Sequence, residues 1–147
     1  SADVVNIKQE ATSFKLVTLD RYLTSDNKYP FRAKSPELTQ DIKDNAILFI
    51  ETLNSFLKEL NVNNAEISSG WRTEAANKGA GGAKKSNHLT GHACDFLDKD
   101  GSLDKLFSEN LEILKKHGLY LESPTSTVGW SHIQNVAPKS GNRIFIP

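Results

Sequence analysis

The stretch that ends at Leu60 constrains the fold most. Ile42, Ala46, Ile47, Phe49, Ile50, Leu53, Phe56, Leu57 and Leu60 recur at three- and four-residue spacing, and Asp41, Lys43, Asp44, Glu51 and Lys58 fill the other positions. At 3.6 residues per turn this pattern lays an apolar stripe along one side of a helix. It predicts a core helix with no chemical role. Ser35-Pro36-Glu37 reads as its entrance, with proline in the first helical position. Asn61 to Asn64 read as its end, because Asn tolerates the left-handed C-cap conformation.

The remaining chain reads as short strands and smaller helices. Leu16, Val17 and Leu19 can pack, and Pro30 and Pro36 punctuate a loop. Ala65 to Ser69 has the length of a strand; a small helix or turn follows around Ala75-Ala76-Asn77, then a glycine-rich loop from Gly79 to Gly82. Ala93 to Leu97 reads as a buried strand and Asp98 to Gly101 as a turn. Ser102 is the expected cap of a second amphipathic helix carrying Leu103, Leu106, Phe107, Leu111 and Leu114 and closed by Gly118. Leu119 to Leu121, Trp130 to Ile133 and Ile144 to Ile146 complete the strands. Helices before and between strands predict an α+β domain. The chain has 147 residues, enough for one domain, 1–147, with a real core.

Charge and composition exclude several functions. Lys plus Arg and Asp plus Glu number 18 each. Without a basic surplus, nucleic acid is not an expected partner. No apolar run approaches the roughly 20 residues a membrane span needs, so no membrane insertion is expected. No signal peptide is visible at Ser1 to Ile7, and the absence of Met fits a processed start. The single cysteine, Cys94, excludes an internal disulfide and reads as core. Asp98-x-Asp100-Gly101 hints at calcium but fails the EF-hand register, which would put Phe96 and Phe107 at the first and last ligand positions.

The chemistry concentrates in four histidines. His117, in Lys115-Lys116-His117-Gly118, suits the end of a helix, where a cation complements the dipole. His88, His92 and Asp95 lie close together. A catalytic zinc site draws three ligands from His, Asp, Glu and Cys and keeps an open position. His88 and Asp95 can share such a site if His88 ends a loop, Asp95 lies on the strand that follows and Gly91 makes the turn. His132 lies in a strand-like segment in which alternation puts Trp130 on its own face and Ser131 and Ile133 on the other.

Ser86-x-His88-x-x-Gly91-x-Ala93-x-Asp95 and Trp130-x-His132 resemble the two metal motifs of the zinc D-Ala-D-Ala carboxypeptidase family, peptidase family M15. Ser69-Gly70-Trp71-Arg72-Thr73, Asn77 and Gly81-Gly82-Ala83 resemble the stretch that precedes the first motif. The resemblance runs from about Phe14 to about Gln134 and is nearest to phage endolysins and secreted actinobacterial DD-peptidases. It implies the fold these peptidases share with the signalling domain of hedgehog proteins, a small, mostly antiparallel sheet packed on helices. It further implies a Zn2+ cofactor held by His88, Asp95 and His132, and a monomer acting on peptidoglycan stem peptides at the cell wall. Arg72 would steady the carbonyl oxygen and Ser86 would orient substrate or the first ligand, while Trp130 suits a substrate wall. On this reading Arg72 serves catalysis and not folding.

One departure stands out. Many members place Glu or Asp two or three positions before the last histidine as general base, where this chain has Gly129 and Trp130. The nearest upstream carboxylate, Glu122, is the candidate base, with His92 a weaker one. The departure leaves an alternative function: a catalytically inactive, zinc-stabilised binding or structural module of the same fold. The bond cut, whether carboxypeptidase or endopeptidase, is not specified by these motifs.

Overall fold

The computed structural model describes residues 16–24 and 32–147. Phe14 and Pro30 lie outside them. In chain order the elements are helix α1 (Leu19–Thr24), a 3-10 turn (Arg32–Lys34), α2 (Gln40–Glu59), β1 (Ile67–Ser69), α3 (Glu74–Gly79), β2 (Ala93–Asp98), α4 (Ser102–Ser108), α5 (Leu111–Lys116), β3 (Tyr120–Glu122), β4 (Gly129–Gln134) and β5 (Ile144–Phe145). This is an α+β fold. The five strands form one sheet in the order β1-β2-β4-β3-β5, antiparallel except for the β3–β5 pair. None of the described helices is long and apolar enough to cross a membrane.

The stripe on α2 does what the spacing requires. Ala46, Phe49, Ile50, Leu53, Phe56 and Leu57 are buried, with Ile42 and Leu60 packed at the edges. Ile47 is instead 42% exposed, because it sits one position off the stripe. The entrance also differs. Thr39 caps α2, its hydroxyl accepting from the Ile42 amide, and Ser35-Pro36-Glu37 forms a separate turn before it. A cap contributes about 1 kcal/mol, against roughly 1.5–3 kcal/mol for each large side chain buried. The stripe therefore decides that the helix forms, and the cap only where it starts. Asn61, at φ 56°, ends it as expected.

The predicted helix from Ser102 to Gly118 is two helices. Asn110 breaks it, its side-chain amide donating to the Leu106 carbonyl in competition with the backbone. The break turns the second half, so Leu114 is buried and Leu111 is 43% exposed. Ser102 is not the cap. Gly101 holds that position at φ 75°, and the Asp98 carboxylate accepts from the Leu103 and Asp104 amides.

Alternation along β2 and β4 sorts the side chains. Cys94, Phe96, Ser131 and Ile133 are fully buried on the helix side, where Cys94 belongs to the core. Asp95, Leu97, Trp130 and His132 take the other face, where they line a cavity. Gly91, at φ 81°, brings the loop before β2 against α2: a Cβ there would lie 2.9 Å from the Ile42 carbonyl oxygen. Both the left-handed backbone and the close approach require glycine.

Candidate metal centre and active site

Three side chains from two strands and a loop meet at the head of a cavity of about 710 Å3. Asp95 and His132 are direct cross-strand partners in the β2–β4 register, so the sheet itself sets them side by side. His88 comes from the loop before β2. That loop is pinned by its carbonyls, since the Arg72 amide donates to His88 O and the Trp71 indole to Leu89 O. Ser86 Oγ accepts from the His88 amide, which places Ser86 on the backbone of the first candidate ligand.

The ring nitrogens have distinct duties. His88 Nδ1 donates to the Gly70 carbonyl, which can only accept. The neutral ring thus leaves a bare lone pair on Nε2. That atom is buried without a hydrogen-bond partner and lies 3.3 Å from Asp95 Oδ1. His132 Nδ1 lies 2.7 Å from the same oxygen, and its Nε2 bonds Gln134 Oε1. The two rings stand 5.3 Å apart, nearly edge to face. Burial lowers the pKa of His88 and favours the neutral ring. Burial works to raise Asp95, but the two histidines outweigh it and hold the carboxyl ionised.

A proton on His132 Nδ1 can bridge to Asp95, but the bare His88 Nε2 faces the same carboxylate oxygen with nothing between them, an unfavourable contact that a cation held by all three groups would relieve. The donor set is two imidazoles and a carboxylate, the combination that catalytic zinc takes with one position left open. The ligand atoms lie within 4.8 Å of one another. Ligands about 2.1 Å from a tetrahedral ion would be roughly 3.4 Å apart, so the residues fit such an ion with small adjustments.

Arg72 reaches the same site from beneath. Its Nε donates to Ser69 Oγ, Nη1 to Asn77 Oδ1 and Nη2 to Asp95 Oδ2. Asp95 therefore turns one oxygen to arginine and the other to the histidines. Asn77 also donates to the Ala83 carbonyl, tying the glycine-rich loop to Arg72, and a Cβ at Gly82 would overlap the Asn77 amide oxygen. These contacts correct the expectation that Arg72 matters for catalysis alone. The guanidinium is buried, 9% exposed, and neutralises a buried carboxylate. Arg72→Ala is expected to destabilise the fold by about 3–5 kcal/mol, the scale for breaking a buried pair by removing one partner. Urea denaturation checks this, and an unchanged midpoint would refute it.

Glu122, at the end of β3, lines the cavity with Trp130, Ser86 and the three candidate ligands. Burial raises its pKa, with the His132 ring acting in the opposite sense. Asp95 and Glu122 are the two carboxylate side chains among the described residues lining the cavity. His92 does not line it and instead bonds Asn135 Oδ1. His117 sits at the end of α5 against Glu59 and does not line the cavity.

Gln134 escaped the sequence reading. It follows His132 by two positions and so shares its strand face, a signal that period-two alternation carries. The Gly70 carbonyl escaped too, and no side-chain pattern marks a backbone acceptor.

No curated protein matches the chain. Residues 29–133 match the profile of the family described as Peptidase M15. That span includes both histidine ligand candidates, Asp95, Arg72 and Glu122, and over this match, most of its length, the chain belongs to peptidase family M15.

Proposed function

We propose that the protein is a zinc-dependent peptidase that hydrolyses peptide bonds in the stem peptides of bacterial peptidoglycan, acting as a monomer at the cell wall. One observation carries the enzymatic part: a carboxylate not needed as a ligand, Glu122, faces the same cavity as the converging His88, Asp95 and His132. The wall substrate is supported by the likeness of the motifs to those of DD-peptidases and endolysins. When bound, zinc supplies a Lewis acid that polarises the scissile carbonyl and lowers the pKa of water to about 7.

The chain's own residues do the rest. The Glu122 carboxylate takes a proton from the attacking water and passes it to the leaving amine nitrogen. Arg72 spends three N–H groups on Ser69, Asn77 and Asp95, and a guanidinium has five. Arg72 lines the cavity, so its two uncommitted donors are available for the developing charge on the carbonyl oxygen, a fixed array that would favour the transition state over the ground state. Trp130, 38% exposed, and its cross-strand partner Leu97, 39% exposed, give an apolar wall for the substrate.

The test is digestion of purified peptidoglycan followed by mass spectrometry of the fragments. The expected result is release of peptide, abolished by chelator and restored by zinc. The fragment masses identify the bond and distinguish carboxypeptidase from endopeptidase. A protein that binds zinc but releases no fragment would favour the inactive module.

A further inference from the structure

We infer that Gln134 is a positioning residue that fixes which nitrogen of His132 carries the proton, so that the ring presents Nδ1, and not Nε2, to a metal. The part of this that concerns the metal rests on the zinc reading above. The part that concerns the ring does not.

The argument is one of donors and acceptors. Gln134 is buried, 5% exposed. Its Nε2 lies 2.7 Å from the Val136 carbonyl oxygen. A carbonyl accepts only, so the amide NH2 must be on that side and the amide oxygen on the other. That oxygen, Oε1, lies 2.8 Å from His132 Nε2. It too can only accept, so Nε2 must carry a hydrogen. With Nε2 committed to Gln134, the other ring nitrogen, Nδ1, carries a proton toward Asp95 in the metal-free ring and offers its lone pair once a metal displaces that proton. Nδ1 is the atom that faces Asp95 Oδ1. The backbone of the strand end thus orients Gln134, and Gln134 orients the ring.

The two histidines therefore present different nitrogens. His88 offers Nε2 because the Gly70 carbonyl holds its Nδ1 proton, and His132 offers Nδ1 because Gln134 holds its Nε2 proton. Only the second device is a side chain, so only it can be removed by substitution. Partners of this kind fix ligand orientation and raise ligand basicity.

Two variants separate the role from ordinary packing. Gln134→Met keeps the length of the side chain and loses both bonds. Gln134→Glu also loses the donor to Val136 but keeps an acceptor for His132 Nε2. Zinc affinity, measured by competition with a chromophoric chelator, should fall roughly 10–100-fold in Gln134→Met and stay within about threefold of the parent in Gln134→Glu. Equal losses in the two variants would mean that the Val136 bond matters and the ring contact does not, overturning the proposal. An unchanged Gln134→Met would overturn it as well. Long-range proton–nitrogen spectra of 15N-histidine protein read the ring directly. The zinc-loaded parent should show a proton on Nε2 of His132, and a proton on Nδ1 would refute the assignment. If the parent takes up no zinc, the metal reading fails. The metal-free protein then still tests the ring contact: a His132 Nε2–H shielded from solvent exchange in the parent and exposed to it in Gln134→Met supports it, and equal exchange in the two refutes it.

Discussion

His132→Ala protein is expected to fold, to lose its metal and to lose activity. The parent should hold close to one zinc per chain, measured by elemental analysis of protein prepared without chelator. Three ligands are the minimum for a catalytic zinc site with an open position, so two cannot hold it tightly. Removing a hydrogen-bonding partner of a ligand already costs roughly 10–100-fold in affinity, and removing the ligand itself should cost more. The fold should survive because the core lies on the other face of β4. Ile133 is fully buried among the helices, whereas His132 faces the cavity. Circular dichroism and a urea titration would separate metal loss from unfolding. A folded His132→Ala protein that kept a full equivalent of zinc at parental affinity would disprove the ligand set.

Glu122→Gln is expected to keep metal and fold while losing activity by roughly 10²–10⁴-fold, the usual contribution of a general base. The amide has nearly the same shape but cannot take a proton. The assignment follows from exclusion as well as position. Among the described residues Asp95 is the other carboxylate side chain lining the cavity, and its oxygens are committed to Arg72 and to the two histidines. The position is held by pairing, since Glu122 sits opposite Phe145 in the parallel β3–β5 ladder and the Ser123 amide bonds the Phe145 carbonyl. Behind it, the loop that leads to β4 is anchored by Thr127, whose hydroxyl donates to the buried Asp104 carboxylate at 2.6 Å. Kinetics on peptidoglycan fragments, with zinc content measured on the same sample, check the prediction. Activity within tenfold of the parent would end the case for Glu122 as base.

The periodicity of residues 42–60 established a core helix, and the strands between Ile67 and Phe145 were legible as short apolar runs bounded by turns. Local signals at element ends were less dependable. Ser102 and Pro36 have the composition of helix starts, yet Asp98 and Thr39 do the capping. Several residues near an end can satisfy the same orphan amides, and packing chooses among them. The second amphipathic pattern concealed a break at Asn110, because Leu103 to Leu114 keeps its spacing through the break.

The sequence by itself determined the face of β4 on which His132 lies, which follows from the period of a strand, and it supplied the candidate ligand set through the resemblance of its motifs. Both signals are local. Only the tertiary structure decided that Asp95 and His132 stand opposite each other, that Glu122 shares their cavity and that Arg72 is built into the fold. Each of those depends on strand order and register, in which β4 lies between β2 and β3 although it follows both in the chain. A one-residue slip of β2, β3 or β4 would turn Asp95, Glu122 or His132 respectively to the other face. Register is set by the whole apolar face packing on the helices at once, a sum over distant residues that no single motif contains.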